Sequence, residues 1–170
     1  MANHALSRDD SAWSSDTLSF AEQMLLWSMR IWVVGLKKRI PVGEKLHEAW
    51  SRAGAPRAVG LVDNLMVVVG HGAIRKLDIN CPCQKALSDD ERRILDLAAL
   101  YQGGASLEGP LLLQSMLTET ACRAAGGILR DLGRVFSDAG MVFPPIEIPP
   151  ERAFGHPLQP TLHAGSATLH

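Results

Sequence analysis

The sequence predicts an all-α protein, a single-domain bundle of five or six helices spanning residues 16–143 with a flexible segment at each end. Three observations predict it. Apolar residues recur at helical spacing through most of the chain. Caps, prolines and glycines punctuate those runs where helices should start and stop. The β-branched run Met66-Val67-Val68-Val69 could be a buried strand, but length and the missing strand partner decide for helix.

Residues 1–15 are rich in Ser, Asp and Asn and read as a flexible leader, with Trp13 its one sticky side chain. The longest helical pattern covers residues 17–39. Asp16 can cap it, and Ser19-Phe20-Ala21-Glu22 offers a capping box just inside. Lys37-Lys38-Arg39 places cations at the negative end of the dipole, and Pro41 opposes continuation. Two apolar stripes run along this helix: Phe20, Met24, Trp27, Ile31 and Val34, and Leu18, Leu25, Met29, Trp32 and Leu36. Gln23, Arg30 and Lys37 leave only a narrow polar strip between them. So apolar a helix is either the centre of its own bundle or buried against a partner, and the central place is expected. On the second reading Trp27, Met29 and Trp32 supply an interaction surface.

A short helix follows over residues 43–53, ended by Gly54, with Val42, Leu46, Ala49 and Trp50 on its apolar side. Pro56 suits the first turn of a helix over 56–70, and Gly70-His71-Gly72 should loosen or end it. Residues 73–77 can add one more turn. Cys81-Pro82-Cys83 then forms a loop, because proline restricts both itself and the residue before it.

Ser88-Asp89-Asp90-Glu91 is the clearest helix start in the chain, a capping box with three acids in the first turn. It opens a helix over 89–102 with Ile94, Leu97, Ala98 and Tyr101 on one face. After Gly103-Gly104, the spacing from Leu113 to Phe136 predicts one long helix from about residue 106 to 139. Gly126 and Gly127 can kink it or admit a close neighbour, and Gly140 can end it. Residues 144–170 are proline-rich and read as an extended or disordered tail.

Composition narrows the function classes. The formal net charge of −1 gives no global field for nucleic acid or anionic lipid. The polar leader lacks the apolar core of a secretory signal, and no run is long enough to span a bilayer. An odd count of 3 cysteines argues against a secreted disulfide framework, and a cytoplasmic location is expected. Phosphate-cradling, dinucleotide, zinc-protease and nucleophile-elbow motifs are missing. The segment from Pro56 is too apolar to read a DNA groove.

Chemistry concentrates in the cysteine loop. Cys81 and Cys83 can bind zinc or copper(I), and His71 with Cys122 would complete a Cys₃His set. The spacing is shorter than that of ordinary zinc sites, so buried or partly exposed thiols behaving as small hydrophobes are the plainer account, and a redox pair is a third. His71 alone reads as a solvated histidine, and Asp89, Asp90 and Glu91 as cap residues. His156, His163 and His170 lie in the tail without fixed geometry. The leading expectation is a non-enzymatic helical interaction or regulatory module that binds itself or another protein. The alternative is a metal-binding or thiol-redox sensor centred on Cys81-Pro82-Cys83.

Overall fold

Reciprocal hydrogen bonds start the first long helix. The Glu22 amide donates to Ser19 Oγ at 3.3 Å, and the Ser19 amide donates to Glu22 Oε2 at 2.8 Å. In the computed structural model, which describes residues 14–104 and 107–146, this capping box opens α1 (Phe20–Lys38). A 3-10 turn over Ser15–Thr17 precedes it, so Asp16 belongs to that turn and does not cap α1. The leader up to residue 13, Trp13 included, and the tail from residue 147 with its histidines lie outside the described residues.

Five more helices follow: α2 (Gly43–Arg52), α3 (Ala58–Gly72), α4 (Asp89–Gln102), α5 (Glu108–Gln114) and α6 (Glu119–Asp138). The described residues form a helical bundle with no strand and only two isolated bridges. The α4 boundaries are those expected, and both halves of the Ser88–Glu91 capping box form. α6 ends on Gly140 at φ 70, with the Met141 amide donating to Phe136 O at 2.8 Å. That is the left-handed stop anticipated there.

Two expectations fail at the α3–α6 seam. α3 ends at Gly72, inside the glycine run expected to end it, but residues 73–77 add no further turn. The long helix expected over 106–139 is broken into α5 and α6. The physical reason is shared. The Ile74 amide donates to Met116 O at 3.0 Å, and the Thr118 amide donates to Gly72 O at 2.8 Å. Backbone groups that a continuous helix would satisfy internally are satisfied across the bundle instead.

The centre of the bundle is α6, not α1. α6 packs on α3, α4 and α5, whereas α1 packs on α3 and α4. Small residues decide this. A Cβ on Gly72 would stand 2.1 Å from the Ala121 Cβ, one on Gly126 would stand 2.9 Å from the Tyr101 hydroxyl, and one on Gly133 would stand 3.0 Å from the Gln102 Cα. Where side chains are absent, helices approach closely and bury more of their neighbours. Gly126 therefore admits Tyr101 of α4, whereas Gly127 meets nothing.

Trp50 ties the periphery to this hub. Its ring meets Phe136 of α6 edge-on at 5.1 Å, and its Nε1 donates to Ser28 Oγ of α1 at 3.0 Å. Phe136 in turn contacts Phe143 at 5.0 Å, and Gln102 holds the segment after α6 by donating to Met141 O and accepting from the Phe143 amide.

Candidate functional site

The chain between α3 and α4 carries the paired cysteines, and it lies across the polar strip of α1. Its attachment rests on two buried charges. Arg30 of α1 and Glu91 of α4 are 3% and 0% exposed. The Arg30 Nε donates to Glu91 Oε1 at 2.7 Å and Nη2 donates to Oε2 at 2.9 Å, a two-pronged pair. Nη2 also donates to Ala86 O at 2.9 Å, and Nη1 donates to Gln84 O. Glu91 accepts further bonds from the amides of Asn80 at 3.0 Å and Ser88 at 2.9 Å. One ion pair thus joins two helices and fixes both ends of the loop.

The neighbouring acid is equally committed. Asp90 accepts from both terminal nitrogens of Arg75 and from the Asp78 amide at 2.9 Å. Sequence reasoning assigned Asp90 and Glu91 to helix capping alone and set Arg30 in a narrow polar strip. The missed signal was Arg30 itself, a lone charge in the middle of an otherwise apolar helix.

Hydrogen bonding to Arg75, chiefly, holds the Asp90 carboxyl below the usual carboxylate range. A depressed folded value means that Asp90 stabilises the fold above the unfolded carboxylate pKa, near 4, and loses that contribution as pH falls through the lower folded value. Asp96 has the opposite sign, because burial raises it and its charged form costs stability as pH rises. We expect Asp90→Asn to be less stable than wild type at pH 7 and to lose less stability below about pH 4. Urea unfolding at pH 7 and at acid pH checks this, and parallel pH dependence in the two proteins would refute it.

On this braced loop, Cys81 and Cys83 are joined to each other in a disulfide, with Cα atoms 5.5 Å apart. Both are exposed, as is Pro82 between them. The Gln84 amide closes the turn on Cys81 O at 3.1 Å. Beside the turn is a surface hollow lined by Ser15, Asp16, Gln23, Leu26, Trp27, Arg30 and Pro82. Its far wall is held to the loop by the Ser15 amide on Lys85 O at 2.9 Å and by Lys85 Nζ on Asp16 at 2.8 Å.

The other expected ligands are placed elsewhere. His71 is exposed on the last turn of α3. Cys122 is half-buried on α6, with its thiol donating to Leu117 O at 3.5 Å. Cys81 and Cys83 are brought together, but among the described residues no three His, Cys, Asp or Glu side chains stand where they could share a metal ion.

The expected interaction surface divides in three. Met29 is fully buried, so it is core and presents nothing to a partner. Trp27 is half-buried in the wall of the hollow, with the Lys45 ammonium 6.0 Å from its ring centroid. Trp32 lines a groove of about 470 Å³ between the end of α1, α2 and α3, and its Nε1 donates to Asp63 at 2.8 Å. Leu36, Ile40, Val42 and Val59 share that groove, and Leu36 and Ile40 are 65% and 48% exposed.

No helix of the described residues is long and apolar enough to cross a membrane. The chain matches no protein-family model, and no curated protein or solved structure is similar to it.

Proposed function

We propose that this protein is an interaction module that works by self-association, two copies meeting through the corner where α1 ends against α2 and α3. The observation that carries this is a groove at that corner whose apolar lining includes exposed side chains. Leu36 and Ile40 are exposed to solvent, and they line the groove together with Trp32, Val42 and Val59. A two-fold contact requires one patch to supply both halves of the fit.

The backbone supports the same reading. Arg39 holds a left-handed conformation at φ 54, which costs a non-glycine residue about 1 kcal/mol. That turn is the C-cap of α1, with the Ile40 amide donating to Gly35 O at 3.1 Å, and it leaves Ile40 exposed in the groove that Leu36 also lines. Gly35 lies beneath, where a Cβ would meet Val42 at 2.8 Å, so the groove floor depends on its absence. The rim is mixed in charge. Lys37, Lys38 and Arg39 are exposed on the α1 side, and Glu44 is exposed at the start of α2. In a two-fold pair the cations of one copy can face the acid of the other.

Sedimentation over a concentration series tests the proposal. Wild type is expected to dimerise by about 100 µM, and Leu36→Glu with Ile40→Glu to weaken the dimer by roughly 100-fold or more. Both positions are largely solvent-exposed already, so helical content and unfolding midpoint should stay near wild type. A wild-type chain that remains monomeric throughout, or a double variant that still dimerises, removes the reading.

A further inference from the structure

The cysteine loop contains a feature that the groove does not use. Its disulfide spans a sequence separation of 2. The entropic stabilisation from a cross-link grows with the loop it closes, so a ring this small adds little to the fold. The backbone on either side is secured without it. The Asn80 amide is bound by Glu91, and the carbonyls of Gln84 and Ala86 are bound by Arg30. Asn80 Nδ2 also donates to Ala86 O at 3.0 Å, and Lys85 O accepts from Ser15. A disulfide that is exposed, and that the surrounding hydrogen bonds do not require, can open and close without unfolding its host. Exposed disulfides are the ones that exchange.

We propose that Cys81 and Cys83 form a thiol–disulfide exchange site that takes a small thiol, with the hollow beside Pro82 and Trp27 receiving the thiol-bearing molecule. The chemistry balances as two displacements. A thiolate of the small thiol attacks one cysteine sulfur, the Cys81–Cys83 bond breaks, and the other cysteine leaves as a thiolate that takes a proton from water. A second small-molecule thiolate then attacks the sulfur of its predecessor in the mixed disulfide and releases the remaining cysteine. Two protein thiols and one oxidised small-molecule disulfide result, with two electrons moved. Oxidised small thiol reverses the sequence.

The hollow fits such a molecule. Leu26 and Trp27 give it an apolar wall, while Gln23, Ser15 and Asp16 give it polar groups. Cys122 stays outside the reaction. Burial, then the Glu119 carboxylate, pushes its thiol up, so it is a weak nucleophile at neutral pH.

The full-length Cys122→Ser chain gives a clean reading, because only the pair can then titrate. In native buffer the count of reactive thiols should rise from about zero to about two on treatment with glutathione at millimolar levels, and return on treatment with oxidised glutathione. Helical circular dichroism should not change, and the unfolding midpoint should shift by less than about 5 °C. Cys83→Ser in the same background should leave Cys81 able to take up one glutathione from oxidised glutathione as a mixed disulfide, releasing one reduced glutathione. Because Trp27 shares the hollow with Pro82, reduction is expected to change tryptophan emission, and the change should vanish in Trp27→Phe. A pair that stays closed in native buffer, that never re-forms with oxidised glutathione, or whose reduction melts the helices would overturn the exchange site. An emission change that survives Trp27→Phe would overturn the role of the hollow. Self-association is read from mass and this exchange from thiol counts, so either proposal can fail alone.

Discussion

Glu91→Ala is expected to destabilise the protein by about 3–5 kcal/mol in urea unfolding, the range for breaking a buried ion pair from one side. The substitution leaves the Arg30 guanidinium, 3% exposed, without its counter-charge. It also removes the capping bond to the Ser88 amide and the bond to the Asn80 amide. Losses of this size are a large part of the 5–15 kcal/mol that holds a typical domain together. Arg30→Met should be costly too, since it leaves Glu91 buried and charged. The double change Arg30→Met with Glu91→Met should cost less than the sum of the two, because neither charge then remains alone. A Glu91→Ala protein within about 1 kcal/mol of wild type would show that the pair is not the bolt described here.

The second large effect lies at the hub. Gly72→Ala would put a methyl 2.1 Å from the Ala121 Cβ, a separation that real side chains do not adopt. α3 and α6 must move apart, and overpacking of this kind costs about 1–3 kcal/mol or more. Ala121→Gly should recover part of that loss when combined with it, giving a favourable coupling in a double-mutant cycle. The contrast is Gly127→Ala on α6, where nothing stands within 4 Å of the new methyl. There the gain in helix propensity should prevail, stabilising by up to about 1 kcal/mol. If Gly72→Ala were as stable as wild type, the helices would not be in contact at that crossing.

Local signals were read well and long-range ones poorly, for a physical reason. The capping box at Ser88 and the stop at Gly140 are set by neighbours within a few residues, and both appear in the structure where the residues place them. The break between α5 and α6 has only a weak local signature, Thr118 at the N-cap of α6 with no side-chain capping bond. Leu113, Met116, Leu117 and Ala121 keep helical spacing across it, and all four are buried. What divides the helices is pairing with the end of α3, which no local pattern records. The supposed centrality of α1 failed in a similar way. Apolar content measures how much surface a helix could bury, but glycines and alanines decide which helix others can approach. Of the candidate site, the paired cysteines were visible as a motif. The charges that hold their loop were not, because Arg30 and Glu91 each had a sufficient local explanation.

The placement of α6 also bears on how the chain is made. Synthesis runs from the N-terminus, and the helix around which the others gather is the last of the six to appear. Until it emerges, the faces of α3, α4 and α5 that pack on α6 stay uncovered. Domains commonly fold as units once their chain is available, at synthesis rates of about 5–20 residues per second. The 20 residues of α6 take about 1–4 seconds to appear at that rate, and the faces they cover wait at least that long. The polar bracing of the cysteine loop is under no such delay, since Arg30, Glu91 and the carbonyls they fix all precede α6.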